Sequence, residues 1–395
     1  MRVLLCSFSR PFPQSDGPWP LWTPPFREGL EACGCEVVEP KTVDLIEPFL
    51  RRADTDWILR NRSALEGRLL DEVRRLHREK PLDLIFTYFW EFQVDAAGMR
   101  AITDLGIPTV NFFCDNVREF SSVEPLVRSF TLNWVPEVGA LPLYRRAGAP
   151  HVHLPMSASP SRFPFEERPE KRRVVFIGSA DVVRRHLLDQ VRDRLPLRVG
   201  GEGWAPAATG EGAPSGAPRR SFADLAGTLA SHAARVLRHG PRAEWNHFEQ
   251  KRVELRLAGR FADLALDTRK SSAMLEAFWD SAVTLGINRF PTPEAPLERP
   301  RCYSRLRDLE APMAGAAYLT ERTEDLPHLF EEGKEVLAYR TADELVAQAE
   351  RMLEDPALRR RLRREGRRRA LAEHTWERRF RDLFRHLGLK PPRVP

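Results

Sequence analysis

The sequence predicts an α/β protein made of two successive parallel-sheet units and closed by C-terminal helices. Three observations carry this. Short apolar runs alternate with amphipathic stretches, as strands and crossover helices do in a parallel sheet. A stretch rich in Pro, Ser and charge, Pro155 to Arg172, interrupts that alternation. The chain has 395 residues, more than one hydrophobic core usually serves.

In the first unit, strands are expected at Val3–Cys6, Glu36–Val38, Leu82–Thr87, Thr109–Phe113 and Leu132–Val135. Helical patterns fall between them near Pro25–Ala32, Ser63–Arg78, Val94–Leu105 and Val138–Ala147. Gly106-Ile-Pro108 and Gly148-Ala-Pro150 each place a helix stop just before a strand. Residues 1–155 therefore read as one domain, 156–172 as a linker and 173–395 as a second domain.

The second domain opens on Arg173-Val-Val-Phe-Ile-Gly178-Ser179, a buried strand ending in a Gly turn, with a helix at Val182–Arg194 behind it. Leu197–Val199 is the next strand, and Gly200-Gly-Glu-Gly203-Trp204 closes it. Residues 205–220, rich in Ala, Gly and Pro, read as a surface insertion. Helices follow at Ser221–His239, Glu244–Ala265 and Ser272–Trp279, then a strand at Ala282–Ile287 and a Pro-rich loop from Asn288 to Pro300. The order after that is helix Arg305–Ala314, strand Ala316–Leu319, helix Glu324–Phe330 and strand Glu335–Tyr339. Helices run from Ala342 onward, with a break at Asp355-Pro356.

No run of about 18 apolar residues is present, so no transmembrane helix is expected. Met1-Arg-Val-Leu-Leu-Cys6 is too short for a signal-peptide core and reads as the first strand. The five cysteines show no zinc spacing, and their odd number fits a reducing, cytoplasmic compartment. Net charge is +6, and eight of the eleven residues from Arg359 to Arg369 are Arg. Two readings of that run stand side by side: a solvated helix face, or peripheral contact with anionic lipid at the inner membrane face. No reader motif accompanies it, so nucleic acid is not an expected partner.

Several motifs carry chemistry. Arg305-Leu-Arg307-Asp-Leu309-Glu310 opens a charged helix after a strand and loop, and Gly315 ends it. Phe176-Ile-Gly178-Ser179 is followed by Arg184; Gly201-Glu-Gly203-Trp204 forms a turn; Glu373-His374-Thr375-Trp376 introduces the last helix. The block from Arg305 to Arg379 resembles the C-terminal half of bacterial glycosyltransferases of the spore-maturation-protein (CgeB-like) type. These lie among the group 1 glycosyl transferases, whose GT-B architecture sets two Rossmann-like domains face to face across a cleft. The resemblance implies a last helix packed back on the N-terminal domain. It also implies a nucleotide-sugar donor held by the C-terminal domain and a hydroxyl acceptor held by the N-terminal one.

Residue by residue, the resemblance assigns Glu310 to the donor ribose, because Arg307-Asp-Leu309-Glu310 matches the family's Arg-x-Phe-Glu with Leu for Phe. The alternative is a surface Glu paired with Arg305 or Arg307. Arg305 and Arg307 suit the departing diphosphate, since Arg offers a planar fork to phosphate; an ordinary helical charge pattern is the alternative. Gly178, Ser179 and Arg184 match a pyrophosphate-approach turn, or a plain tight turn. Gly203 and Trp204 wall a base pocket, or simply turn the chain. A broader related class carries a second Glu eight residues before the first, where this chain has Cys302.

Three carboxylates compete as base on the acceptor: Asp115 at the end of an apolar strand, Glu91 in Thr87-Tyr-Phe-Trp-Glu91, and Asp16 in the loop after strand one. Asp115 also suits a helix cap. His374 reads as structural. No Asp-x-Asp stands at a strand end; Asp54-Thr55-Asp56 falls in a polar helical region. No metal or other cofactor is expected, the nucleotide sugar entering as substrate. Inverting and retaining outcomes are both open. The competing readings are a catalytically silent GT-B binding or scaffold protein, and a sugar-nucleotide epimerase of the same architecture.

Overall fold

The structure, a computed structural model, describes residues 1–8, 22–204, 240–268 and 271–390. Asp16, the insertion at 205–220 and the expected helix Ser221–His239 lie outside the described residues.

The first sheet holds β1 (Arg2–Cys6), β2 (Glu36–Val38), β3 (Leu84–Thr87), β4 (Thr109–Phe112), β5 (Leu132–Val135) and β6 (His151–His153). All pairings are parallel, in the order β2-β1-β3-β4-β5-β6. β1 and β3 are buried along their whole length, as expected for strands covered on both faces. The helix Thr55–Glu79 covers one face with Ile58, Leu65, Leu69, Val73 and Leu76 at helical spacing. It starts earlier than its apolar pattern, because the Asp54 carboxylate accepts a 3.0 Å bond from the Trp57 amide and caps it.

The second sheet holds β7 (Lys171–Ile177), β8 (Leu197–Gly200), β9 (Ala265–Leu266), β10 (Ser281–Gly286), and, after a small antiparallel pair β11 (Arg289–Phe290) and β12 (Arg301–Cys302), β13 (Tyr318–Glu321) and β14 (Leu337–Tyr339). Its order is β14-β13-β10-β7-β8-β9, again all parallel. This is the order of dinucleotide-binding sheets, which grow outward from the first strand in both directions.

β6, β9 and the β11–β12 pair have no expected counterpart, and Glu324–Phe330 contains only a 3-10 turn, Leu326–His328, with Pro327 near its start. β6 is half-buried and carries two His, while β9 is two residues long; neither has an apolar run to announce it. The two halves share one apolar cluster. The helix Trp376–His386 crosses from the second half to the helix Thr23–Ala32 of the first, and the Trp376 ring lies 4.9 Å from Phe26 and 5.8 Å from Phe112. Gly29 permits the approach, since a Cβ there would fall 2.5 Å from that of Trp376.

Candidate functional site

In the second sheet the chain turns back between β7 and β10, and an open α/β sheet binds ligands beyond the strand ends at such a switch point. A cavity of about 300 Å³ opens there. Gly178 and Arg184 follow β7 and Asn288 follows β10; Arg305, Arg307 and Glu310 complete that wall. Trp22, Cys114 and Asp115 of the first half close the opposite side. Both halves therefore contribute to one pocket, of a size at the lower end for ligand sites.

Glu310 and Arg307 share the short helix Arg307–Met313, whose other side is anchored. Asp308 is fully buried and accepts bonds from Tyr318 Oη (2.9 Å), Thr320 Oγ1 (2.6 Å) and Asn288 Nδ2 (2.9 Å). Burial pushes its carboxyl upward, and those bonds resist the shift. With Asp308 and Leu309 turned inward, Arg307 and Glu310 face the cavity and form a 2.9 Å ion pair. The pairing expected of a surface Glu thus exists, but inside the pocket.

Arg305 differs. Its guanidinium lies over the Tyr303 ring, 5.0 Å from the centroid, and its buried Nε has no hydrogen-bond partner among the described residues. Arg184 is buried, donates to Ser179 Oγ at 2.8 Å and approaches Asp181 at 3.4 Å. Burial lowers the pKa of Arg184; Asp181 opposes this, while the positive charges of Arg305 and Arg307 add to it. Three arginines gather on this wall; Arg184 stands beside Asp181 and Arg307 is paired with Glu310, so Arg305 is the one most open to an incoming anion.

Gly178 has β-side packing reasons of its own: a Cβ would meet the Phe176 ring at 2.9 Å. Gly201, at φ 113°, would place a Cβ 2.4 Å from the Gly178 carbonyl oxygen, so the two turns fit only as glycines. Trp204 does not line the cavity. It is buried against Phe176 and Phe261, and its indole N–H donates 2.7 Å to the Gly178 carbonyl. Gly203 and Trp204 therefore brace the Gly178 turn from behind. Ser179 is engaged by Arg184.

Asp115 is the only described residue other than glycine with positive φ, at 65°. Such a conformation costs energy and concentrates at functional sites. Its side chain makes no capping bond to the helix Asn116–Glu119. Instead it accepts a hydrogen bond from Tyr303 Oη, across the gap between the halves, and approaches Arg118 at 3.7 Å. The turn is held below by Asn116, which donates to Glu137 at 2.7 Å and accepts from Tyr144 Oη at 2.7 Å. Burial raises the Glu137 carboxyl to about 8, against the Asn116 bond.

Glu91 is not brought to this pocket; its carboxylate accepts a 2.8 Å bond from Arg62. Cys302 leads into Tyr303, and burial pushes its thiol up to about 12, so it supplies no negative charge where the related class has Glu. A larger cleft of about 1000 Å³ lies on the far side of Tyr303, with Val117 and Gly139 of the first half facing Arg322 and Asp325 of the second. Asp325 also joins the halves, accepting from the Val138 amide (2.7 Å) and the Ser304 amide (2.9 Å). Tyr303, Asn288 and Asp308 carried no sequence signal of their own; only the adjacency of Tyr303 to Arg305 hinted at them.

The Arg-rich run fits neither expected reading in full. In the helix Pro356–Glu373, Arg359, Arg363 and Arg367 share a face at i, i+4 spacing and turn inward. Arg359 pairs with Glu170 at 2.7 Å; Arg363 donates to the carbonyls of Gly315 (2.9 Å) and Ser281 (2.7 Å); Arg367 donates to that of Met313. The last two satisfy carbonyls at the end of the helix that carries Arg307 and Glu310. Arg360, Arg361, Arg364 and Arg368 remain outward, and Arg364 and Arg368 share Glu365.

Two parallel six-stranded sheets facing each other over such a pocket define the GT-B architecture of glycosyltransferases. Sucrose-phosphate synthase from Thermosynechococcus elongatus superposes over 98% of this chain and 99% of its own, with a TM-score of 0.56 and 13% identity. Anabaena Alr3699/HepE in complex with UDP and glucose covers 98% and 99%, with a TM-score of 0.55 and 12% identity. AviGT4, a glycosyltransferase involved in avilamycin A biosynthesis, covers 98% and 97%, with a TM-score of 0.52 and 13% identity. At these identities the likeness is one of fold. The Glycosyl transferase-like family model matches residues 184–385, just over half of the chain, and the chain belongs to that family. No curated protein matches the sequence. Among the described residues no helix is long and apolar enough to cross a membrane.

Proposed function

We propose that the protein transfers a sugar from a nucleoside-diphosphate sugar to a hydroxyl acceptor. The observation that carries this is the gathering of Arg184, Arg305, Arg307 and Glu310 at the switch point of the second sheet, opposite Asp115 of the first. In this reading residues 173–395 hold the donor, residues 1–155 hold the acceptor, and 156–172 link them. The HepE structure was solved with UDP and glucose, which fits a donor of this class.

The roles follow from charge and position. Arg305, whose Nε has no hydrogen-bond partner among the described residues, and Arg307 take the diphosphate; Gly178 lets it approach the backbone. Glu310 accepts from the ribose hydroxyls. Asp115 takes the proton of the acceptor hydroxyl as its oxygen bonds to the anomeric carbon. The bond from that carbon to the diphosphate breaks, and the diphosphate leaves with the electron pair into the cationic wall. Closure of the halves excludes water, which would otherwise intercept the sugar. Arginines at the leaving group support a reaction that needs no metal. The acceptor approaches from the larger cleft beside Tyr303.

We place the chain near the CgeB-like, spore-maturation type on the strength of its Arg307–Glu310 and Phe176–Ser179 motifs, with a role in bacterial polysaccharide, cell-surface or metabolite glycosylation. A cytoplasmic location, with peripheral lipid contact through Arg360, Arg364 and neighbours, belongs to the same reading. Cys302 favours one second reading, a catalytically silent binding protein, because the acidic pair of the related class is incomplete. An epimerase is less favoured, since no His among the described residues lines the cavity. A thermal-shift screen over UDP, GDP, ADP, CDP and dTDP tests the proposal. A shift with at least one is expected, and silence across all five would remove the donor reading.

A further inference from the structure

Tyr303 touches both the base candidate, Asp115, and the arginine wall, at Arg305. It follows β12 and is held on three sides. Its ring meets Phe290 edge-on at 5.2 Å, the Arg305 guanidinium covers its face at 5.0 Å, and the next residue, Ser304, is tied to Asp325 (2.9 Å) and Thr323 (2.7 Å). From this mount the phenol crosses the gap and donates to Asp115 Oδ1. The other oxygen, Oδ2, has Arg118 at 3.7 Å, and Arg118 is partly exposed and already paired with Glu119.

We propose that Tyr303 is a positioning residue: its phenol holds the Asp115 carboxylate in the cleft and directs Oδ2 to the acceptor hydroxyl. This rests on the reading of Asp115 as base. The physical reason is a contest between two donors. Without the phenol, Arg118 is the remaining partner among the described residues, and it draws the carboxylate toward solvent, away from the donor pocket. The phenol itself stays protonated, because burial and then the charge of Asp115 raise its pKa well above the ordinary value. It therefore donates throughout and exchanges no proton with substrate. Tyr303 also stands between the 300 Å³ pocket and the larger cleft, so the carboxylate it holds lies where donor and acceptor meet.

The test is a double-mutant cycle. Release of nucleoside diphosphate from UDP-, GDP-, ADP- and dTDP-glucose is measured for wild type, Tyr303→Phe, Asp115→Asn and the double variant. Calorimetry with the matching diphosphate accompanies it. Tyr303→Phe is expected to lower kcat about tenfold, as loss of alignment at a reacting group does, with diphosphate affinity unchanged. The double variant is expected to be no slower than Asp115→Asn alone, because Tyr303 acts only through that carboxylate. Multiplying losses, or affinity and thermal midpoint falling together in Tyr303→Phe, would mean a structural role and overturn the proposal. Wild-type rates in Tyr303→Phe beside a slow Asp115→Asn would overturn it while sparing the base assignment. Full activity in Asp115→Asn, or no turnover of any donor by wild type, would remove the base reading and this inference with it.

Discussion

Glu310 illustrates how much one carboxylate decides. It is paired with Arg307, yet it faces the cavity rather than solvent. Replacing it with Ala is expected to weaken nucleoside diphosphate binding about tenfold, the size of one or two hydrogen bonds to a charged group, with little change in thermal midpoint. Unchanged affinity in a folded variant would mean that Glu310 does not touch the ribose. Asp115→Asn keeps shape and removes the carboxylate proposed as base; turnover is expected to fall at least about 100-fold, with donor affinity retained. At this scale the sequence was legible where a residue sits at a strand end or in a motif, as with Asp115, Gly178, Arg305 and Glu310. It was not legible where the role is made by a contact across the gap. Tyr303 reads as an ordinary aromatic until the first sheet is placed opposite it, and Trp204 reads as a pocket wall until Phe261 folds over it.

At the scale of elements, the site helix Arg307–Met313 is only seven residues long and cannot hold itself in place. Asp308 fixes it to β13 through Tyr318 and Thr320, and Arg363 and Arg367 secure the chain at its end. An Arg run read from composition as a solvated or lipid-facing surface is thus partly a brace for the helix that carries Arg307 and Glu310. The i, i+4 spacing of Arg359, Arg363 and Arg367, on the face of Leu362 and Gly366, was the available clue. Arg363→Ala is expected to cost about 2–3 kcal/mol, since its guanidinium is nearly buried and satisfies several carbonyls; urea denaturation measures this. Charge reversal at Arg360 and Arg364 should leave the urea midpoint alone and reduce sedimentation with anionic vesicles. Most strands were legible from continuous apolar runs. β6 and β9 were not, because edge strands of two or three half-buried residues need no such run.

The whole molecule is held together by its last helices. Trp376 fills a space between Phe26, Phe112 and Trp134 of the first half, so Trp376→Ala is expected to cost about 3–5 kcal/mol, read as a lower denaturation midpoint. His374 lies beside it, its Nε2 2.6 Å from the Leu329 carbonyl and its Nδ1 2.8 Å from Arg379. Arg379 can donate only to an unprotonated Nδ1, so the ring is neutral. Burial, then Arg379, lowers its pKa from 6.5 to about 3. Between those values the unfolded chain binds a proton that the folded one does not. The ring's contribution to stability is therefore complete above about pH 6.5 and is lost as pH drops toward about 3. Urea midpoints at pH 7 and 5 should fall more steeply for wild type than for His374→Gln.

The two-sheet architecture was legible because alternation, linker and motif all pointed one way. The pocket it forms is the center of the functional account, and calorimetry tests that most directly. Titrating UDP, GDP, ADP, CDP and dTDP into wild type and Arg305→Ala is expected to show one that binds wild type and binds the variant at least about tenfold more weakly. Equal affinity in a folded Arg305→Ala, or no binding by wild type, would contradict a diphosphate site at this cleft.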